Sequence, residues 1–198
     1  ALVLNLAVMV AGRRRHRQVT RQLRDQLSTT QGTRRQPARD PLTGFLNRRA
    51  LVEDATILLH DAAQRNMMMA VLMIDLDRFK TINDLHGHAV GDALLARVAG
   101  EISKELPSRS LVARLGGDEF ACVFLFSPGD LKTVQRVAER LVSRLARPID
   151  LDGTALRISA SVGVARSDHE PTSVESLIRA ADIAMYAAKE AGRNRLSW

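Results

Sequence analysis

From residue 40 onward the apolar positions change period several times, and each change marks an element. Residues 48–64 carry Leu51, Ala55, Leu58 and Ala62 at helical spacing. Asp40-Pro41 ahead of them reads as an N-cap followed by proline at the first helical position. Residues 67–74 form an unbroken apolar run of strand length, and its methionines suit core filling better than a metal box. Helical spacing returns over residues 79–86 and 89–105, broken around Gly87. Two apolar runs, residues 110–115 and 120–126, then flank Gly116-Gly117-Asp118-Glu119. Glycine turns a chain tightly at positive φ, so the pattern predicts a hairpin with two carboxylates at its tip. Residues 130–145 predict an amphipathic helix and residues 156–165 a strand. Residues 173–188 predict a last helix with Leu177, Ala180, Ala184 and Ala188 on one face. Strands and helices mixed without a strict β-α-β rhythm imply an α+β fold, a mostly antiparallel central sheet flanked by helices.

The first 39 residues follow different rules. Residues 1–10 are apolar apart from Asn5 and run into Arg13-Arg14-Arg15-His16-Arg17. Ten residues do not span a bilayer, which needs roughly 20, and a signal peptide has the opposite order, charge before apolar core. Apolar sequence ending in arginines matches the cytoplasmic end of a transmembrane helix. The expectation is that residues 1–12 end such a helix, residues 13–39 form a basic juxtamembrane helical linker, and residues 40–198 form the folded domain. That domain would lie in the cytoplasm, tethered to the inner face of the membrane below an upstream sensor. An amphipathic or cloning-derived tail is the plainer alternative. Val19, Leu23 and Leu27 make one thin stripe, which suits either a short helix pairing with its twin or a frayed linker, and Gly32 and Pro37 end it.

Charge sharpens this division. The chain has 198 residues and a formal charge of +7. Residues 1–39 hold nine arginines and one acid, Asp25, whereas the remainder holds 20 basic and 21 acidic residues. The folded part is therefore nearly neutral, and with only 4% aromatic residues it lacks the basic and stacking surface of a nucleic-acid binder. The single cysteine, Cys122, falls in a strand and reads as a buried, inert thiol in a reducing compartment.

The candidate chemistry lies in three places. Asp75 closes an apolar strand, where a charge is costly without a partner or a cation. Asp118 and Glu119 sit on the hairpin turn, and together with Asp75 they would offer hard oxygen ligands suited to Mg²⁺ and a nucleotide's phosphates. Lys80 stands near a helix start whose free N–H groups suit phosphate oxygens, and Lys189 and Arg193, spaced i, i+4, could reach the same phosphates. Taken singly, each piece has a plain reading: a surface turn, an ordinary hairpin, a solvated helix end. Neither a P-loop nor a G-x-G-x-x-G motif occurs.

Taken together, four motifs in order resemble the GGDEF domain of diguanylate cyclases: DPLTGFLNRR (40–49), IDLDRFKTINDLHGHAVGD (74–92), RLGGDEF (114–120) and YAAKEAGRNR (186–195). The resemblance covers residues 40–198 and implies the palm-like sheet shared with nucleotidyl cyclases, preceded here by the N-terminal helix. It implies a metal site for Mg²⁺, with Mn²⁺ as an alternative, held by Asp75, the Leu76 carbonyl and Asp118. Asn83 and Asp92 would read the guanine edge. Phe79, Lys80, Lys189 and Arg193 would contact the phosphates, and His88 falls on a family position that local packing explains equally well. Asp118 or Glu119 would assist loss of the ribose 3′-OH proton, with Lys80 in the catalytic set. The reaction implied joins two GTP into cyclic di-GMP and two pyrophosphates across a homodimer. The alternative is a module that binds GTP or dimerises without catalysis. One departure stands out. Where many members carry an R-x-x-D product-inhibition site, this chain has Pro107-Ser108-Arg109-Ser110, which implies weak or absent feedback.

Overall fold

The structure, a computed structural model, describes residues 38–151, 153–167 and 172–198. The transmembrane end expected over residues 1–12 and the stripe of Val19, Leu23 and Leu27 lie outside the described residues. Among those described, no helix is long and apolar enough to cross a membrane. All of them belong to a unit that begins at Pro37.

Helix α1 (Arg48–Gln64) starts at the position its apolar spacing predicts, but its cap is Asn47, whose side chain accepts from the Ala50 N–H. Asp40-Pro41 opens a tight turn instead. The Asp40 carboxylate holds Thr43, the Gly44 N–H returns to the Asp40 carbonyl at 2.9 Å, and Gly44 takes φ +73°. The proline cannot donate and the glycine ends the turn, so the apparent helix start is turn chemistry. Ahead of it, Arg39 bridges to Leu46 and the Asn47 N–H donates to the Ala38 carbonyl, so these residues are part of the fold.

Strand β1 (Met68–Asp77) is buried along all ten residues. Helices α2 (Phe79–His86) and α3 (His88–Glu105) follow, separated by Gly87 at φ +83°, a backbone shape that breaks the helix there. Strands β2 (Leu111–Gly116) and β3 (Glu119–Phe126) form the expected hairpin. Helix α4 (Leu131–Leu145) is capped by Asp130. The stretch over residues 156–165 divides in two. Ile149–Leu151 (β4) and Thr154–Leu156 (β5) make a small separate hairpin, and β6 (Ser159–Arg166) enters the main sheet. Helix α5 (Val174–Glu190) is capped by Ser173, and a short β7 (Leu196–Ser197) ends the chain. On α5 the buried face carries Ala181, and Ala180 is exposed.

The main sheet has the order β2-β3-β1-β6-β7, antiparallel throughout except for the β6–β7 pair. Alternation along β1 sends Met68, Ala70, Leu72, Ile74 and Leu76 into one core, shared with α3 and α4. Met69, Val71 and Met73 enter the other, under α1 and α5. Cys122 is fully buried in the first core, where burial pushes its thiol pKa up, as its strand position implied. Both helical layers press on the sheet, and α5 presses closest. A Cβ built on Gly163 of β6 would lie 1.9 Å from the Ala181 carbonyl oxygen and 2.2 Å from the Met185 nitrogen.

Gly163→Ala is therefore expected to destabilise the fold by ~3 kcal/mol or more, because the obstacle is helix backbone rather than a movable side chain. Gly100→Ala, in α3 with nothing within 4 Å of the new Cβ, is expected to stabilise by ~0.5–1 kcal/mol. Urea unfolding of both variants checks the contrast.

Candidate active site at the end of strand β1

The alternation that fills the two cores also aims the carboxylates. Asp75 and Asp77 continue the series of Met69, Val71 and Met73, so both issue on the α5 side of the sheet. Glu119 is the register partner of Asp75 and issues on that side too, in phase with Ala121 and Val123. Like charges directly opposite one another across a strand pair repel, and Asp75 is only 8% exposed. The compensating charge comes from the last turn of α5, where Lys189 Nζ lies 2.7 Å from Asp75 Oδ2. Burial pushes the Asp75 carboxyl above its ordinary pKa. The Lys189 ammonium draws it back, the neighbouring charges of Asp118 and Glu119 raise it again, and the balance is upward.

The hairpin tip is fastened from two sides. The Leu76 N–H donates to the Asp118 carbonyl at 3.3 Å, tying the tip to β1. Gly117 takes φ +52°, and its carbonyl accepts from Arg114 Nε at 2.9 Å. Arg114 in turn pairs with Asp40 Oδ2 at 3.2 Å, and Asp40 Oδ1 accepts from the Thr43 N–H and hydroxyl at 2.9 and 2.7 Å. Partial burial alone would raise the Asp40 pKa, but the hydrogen bonds from Thr43 and the Arg114 guanidinium outweigh it and hold the carboxyl below its ordinary value.

Asp77, two residues beyond Asp75, has a different occupation. Its carboxylate accepts from Ser159 Oγ at 2.6 Å, Ser161 Oγ at 2.7 Å and the Asn194 N–H at 3.0 Å. It is a structural lock on the turn after α5, where Arg193 and Asn194 take φ +64° and +49°. Sequence reasoning saw only an Asp-x-Asp pair. The separate signal was the Ser159-x-Ser161 alternation, which puts two hydroxyls on one face of β6 opposite it.

The structure thus brings Asp75, Asp118, Glu119 and Lys189 together at the end of β1. Leu76 lies between the two strand acids with its side chain fully buried in the opposite core. Arg193 is not in register with Lys189 on the helix, because α5 ends at Glu190. It lines a neighbouring cleft with Asp77 and Arg78. The remaining candidates sit on the α2–α3 pair. Phe79 opens α2 and is buried, while Lys80 beside it is exposed. The α2 start has no side-chain cap, which leaves its first N–H groups to a ligand. His88 and Asp92 are exposed on α3. Asn83 Oδ1 is buried without a hydrogen-bond partner, and it rests against Gly91, where a Cβ would meet it at 1.9 Å. A buried amide oxygen facing no donor of the chain can accept an N–H from outside it. Gly91 went unremarked in the sequence, yet only glycine leaves that amide its place.

Among the described residues no three His, Cys, Asp or Glu side chains converge as a metal cluster. The donors present are carboxylates and backbone carbonyls. A buried carboxylate of raised pKa, crowded by two further acids and neutralised by a lysine, fits a hard divalent cation that uses one or two carboxylates and leaves its other positions to water and phosphate.

Comparison with known proteins identifies the family. The family model described as "Diguanylate cyclase, GGDEF domain" matches residues 37–195, and the chain belongs to that family. It is 37% identical over 173 residues to an uncharacterized signaling protein of Caulobacter vibrioides, covering 87% of this chain and 21% of that protein. It is 39% identical over 155 residues to the diguanylate cyclase TpbB of Pseudomonas aeruginosa strain UCBPP-PA14, covering 78% of this chain and 35% of that one. The GGDEF domain of DgcB from Caulobacter crescentus, solved in complex with c-di-GMP, superposes with a TM-score of 0.74 at 29% identity, covering 83% of this chain and 97% of that domain. The chain spans only about a fifth to a third of the length of these two curated relatives.

Two outcomes test the electrostatics. Lys189→Met is expected to raise the Asp75 pKa further, since it removes the groups that lower it and leaves Asp118 and Glu119 in place. Side-chain carboxyl NMR titration reads the shift directly, and a fall would contradict the assignment. Asp40 has a depressed folded pKa, so its contribution is complete above its unfolded value of 3.8 and is lost as pH falls through the folded value. Asp40→Asn is accordingly expected to cost ~1–3 kcal/mol at pH 7 and progressively less below pH 4, as measured by denaturant unfolding across pH.

Proposed function

We propose that this chain is a diguanylate cyclase that condenses two GTP into cyclic di-GMP and two pyrophosphates. The observation that carries the reading is the buried Asp75 carboxylate at the end of β1, paired with Lys189 and close enough to Asp118 and Glu119 for their charges to act on it. Asp75 and Asp118, with the Leu76 carbonyl, would hold Mg²⁺ or Mn²⁺. That ion would supply Lewis-acid stabilisation of charge on the phosphoryl oxygens. Asn83 and Asp92 would take the guanine edge, the unpaired Asn83 oxygen accepting a ring or amino N–H. Adenine presents a different edge there and would leave buried polar groups unmatched, which is the basis of discrimination between the bases. Phe79 and Lys80 would receive phosphate oxygens through the free start of α2, Lys189 and Arg193 through their side chains, and His88 opens α3, exposed.

In each half-reaction the 3′-oxygen of one GTP bonds to the α-phosphorus of the other. The bond from that phosphorus to the bridging oxygen breaks with its electron pair on pyrophosphate, and the hydroxyl proton passes to Asp118, Glu119 or water. Because one domain presents one such constellation, two copies must face each other, and activity belongs to the homodimer. Residues 1–39, with their apolar start and nine arginines, would serve as the tether to the inner face of the membrane, through which an upstream sensor changes how often two domains meet. Pro107 and Ser110 stand where a product-inhibition site would need its arginine and aspartate. Ser110 Oγ is turned back onto the Pro107 carbonyl at 2.7 Å, which supports weak or absent feedback through that site.

Incubation of concentrated protein with GTP and Mg²⁺, followed by chromatography, is expected to yield cyclic di-GMP, and Asp118→Asn is expected to lower the rate by about 100-fold or more. GTP that stays bound and unreacted would instead assign a regulatory binding module.

A further inference from the structure

A cleft of about 460 Å³ adjoins the carboxylates, lined by Arg78, Arg157 and Arg193 above Ile82, Ile158 and Asp77. The three arginines come from three separate segments: the residue before α2, the link into β6, and the turn after α5. None of the three side chains has an ion pair or hydrogen-bond acceptor among the described residues, although acids are as abundant as bases in this part of the chain. The one acid in the cleft does not neutralise them, since Asp77 is committed to Ser159, Ser161 and the Asn194 N–H. Arg78 is held at φ +58°, a conformation unfavourable for a residue with a Cβ, and it caps α2 without any side-chain bond of its own. Three guanidiniums left facing one cavity repel each other until an anion joins them. Guanidinium is also the side chain best matched to phosphoryl oxygens.

Position suggests which anion. Asp77 lies two residues past Asp75 on the same strand face, roughly 7 Å along it, so the cleft begins one side-chain step beyond the carboxylate cluster. A triphosphate whose α-phosphate sits at Asp75 and Asp118 would extend its tail into this space.

We propose that Arg78 and Arg157 complete, with Arg193, a subsite for the β- and γ-phosphates of the substrate, and that this subsite holds pyrophosphate once the α-phosphorus–oxygen bond has broken. The inference rests on the GTP reading above, and it adds two arginines that the sequence motifs did not single out. Together with the Lys189–Asp75 pair, it gives the end of β1 two unlike compartments, an acidic one for the reacting phosphorus and a basic one for the leaving group.

The test is calorimetric titration of the full chain with inorganic pyrophosphate, in chelator and without divalent metal, so that binding is read apart from turnover. The arginines of residues 1–39 give a background common to every variant. Arg157→Ala and Arg78→Asn, the latter chosen because asparagine tolerates positive φ, are each expected to weaken binding about tenfold. Arg157→Lys should recover part of the loss. Arg140→Ala, which removes an arginine of α4 that is paired with Glu105, should change nothing. Binding that changes less than about twofold in both cleft variants, or that falls equally in the Arg140 variant, overturns the proposal, as does a parent protein that binds no pyrophosphate. If the parent makes no cyclic di-GMP but shows these losses, the cyclase reading falls and the anion subsite stands.

Discussion

A carboxylate at the inner end of a strand buried on both faces has to be compensated within the protein, and the architecture around Asp75 is arranged to do so. Its neighbours on the sheet make matters worse: Glu119 is directly across from it, and Asp118 lies on the adjoining turn. Lys189 is the counter-charge, and for Lys189 to arrive, α5 must lie close to the sheet with its last turn over the end of β1. Gly163 permits that approach by presenting no Cβ to the helix backbone. The Asp77 carboxylate then anchors the segment after α5 by binding the Asn194 N–H. A bare glycine contact in mid-strand and a three-fold hydrogen-bonded acid at its end therefore serve one charge, and the same positioning leaves Arg193 facing the cleft.

The hairpin side of the site depends on a second chain of contacts. Asp40 fixes Arg114, Arg114 fixes the Gly117 carbonyl, and the tip is held to β1 by the Leu76 N–H. Both side chains of the Asp40–Arg114 pair are largely shielded, with relative exposures of 19% and 15%. Such a pair is worth more for fixing geometry than for net stability, because desolvation offsets much of its attraction. Fixed geometry is what a glycine turn carrying two acids lacks by itself. The N-terminal turn at residues 40–44 thus acts on the site from outside it, 74 positions away from the arginine it holds.

Much of the fold was legible because β1, α1 and the α2–α3 pair follow simple periods, and each period switches at a glycine or a charged residue. The β2–β3 hairpin was legible for a stronger reason: two glycines between apolar runs leave the chain few alternatives. Three features were hidden. Asp40-Pro41 has the composition of a helix start, and only the following Thr43-Gly44 pair, which closes a turn, distinguishes it. The β4–β5 hairpin consists of two three-residue strands, too short for alternation to register. On α5, Ala180 and Ala181 are equally apolar, and the choice between them is made by Gly163 across the interface. The acids, the amide and the helix-end lysine of the site could be named from the chain because they stand in dense, spaced motifs. Gly91, the serines on β6 and the arginines at 78 and 157 are noticed only when the sheet brings distant segments together.

The charge layout also bears on how such a site can be both stable and receptive. A buried carboxylate beside two further acids would tend to take up a proton, and the lysine paired with Asp75 offsets that tendency. Lys189 is only partly buried, at 26% exposure, and carries its charge on a long stem with several rotatable bonds. Asp77 could not fill the same role as Asp75, since all of its partners are hydroxyls and a backbone N–H fixed in the sheet and turn. Two aspartates two residues apart on one strand face therefore differ through their partners alone: Asp75 is balanced by a partly exposed lysine, and Asp77 is held by donors built into the sheet and the turn.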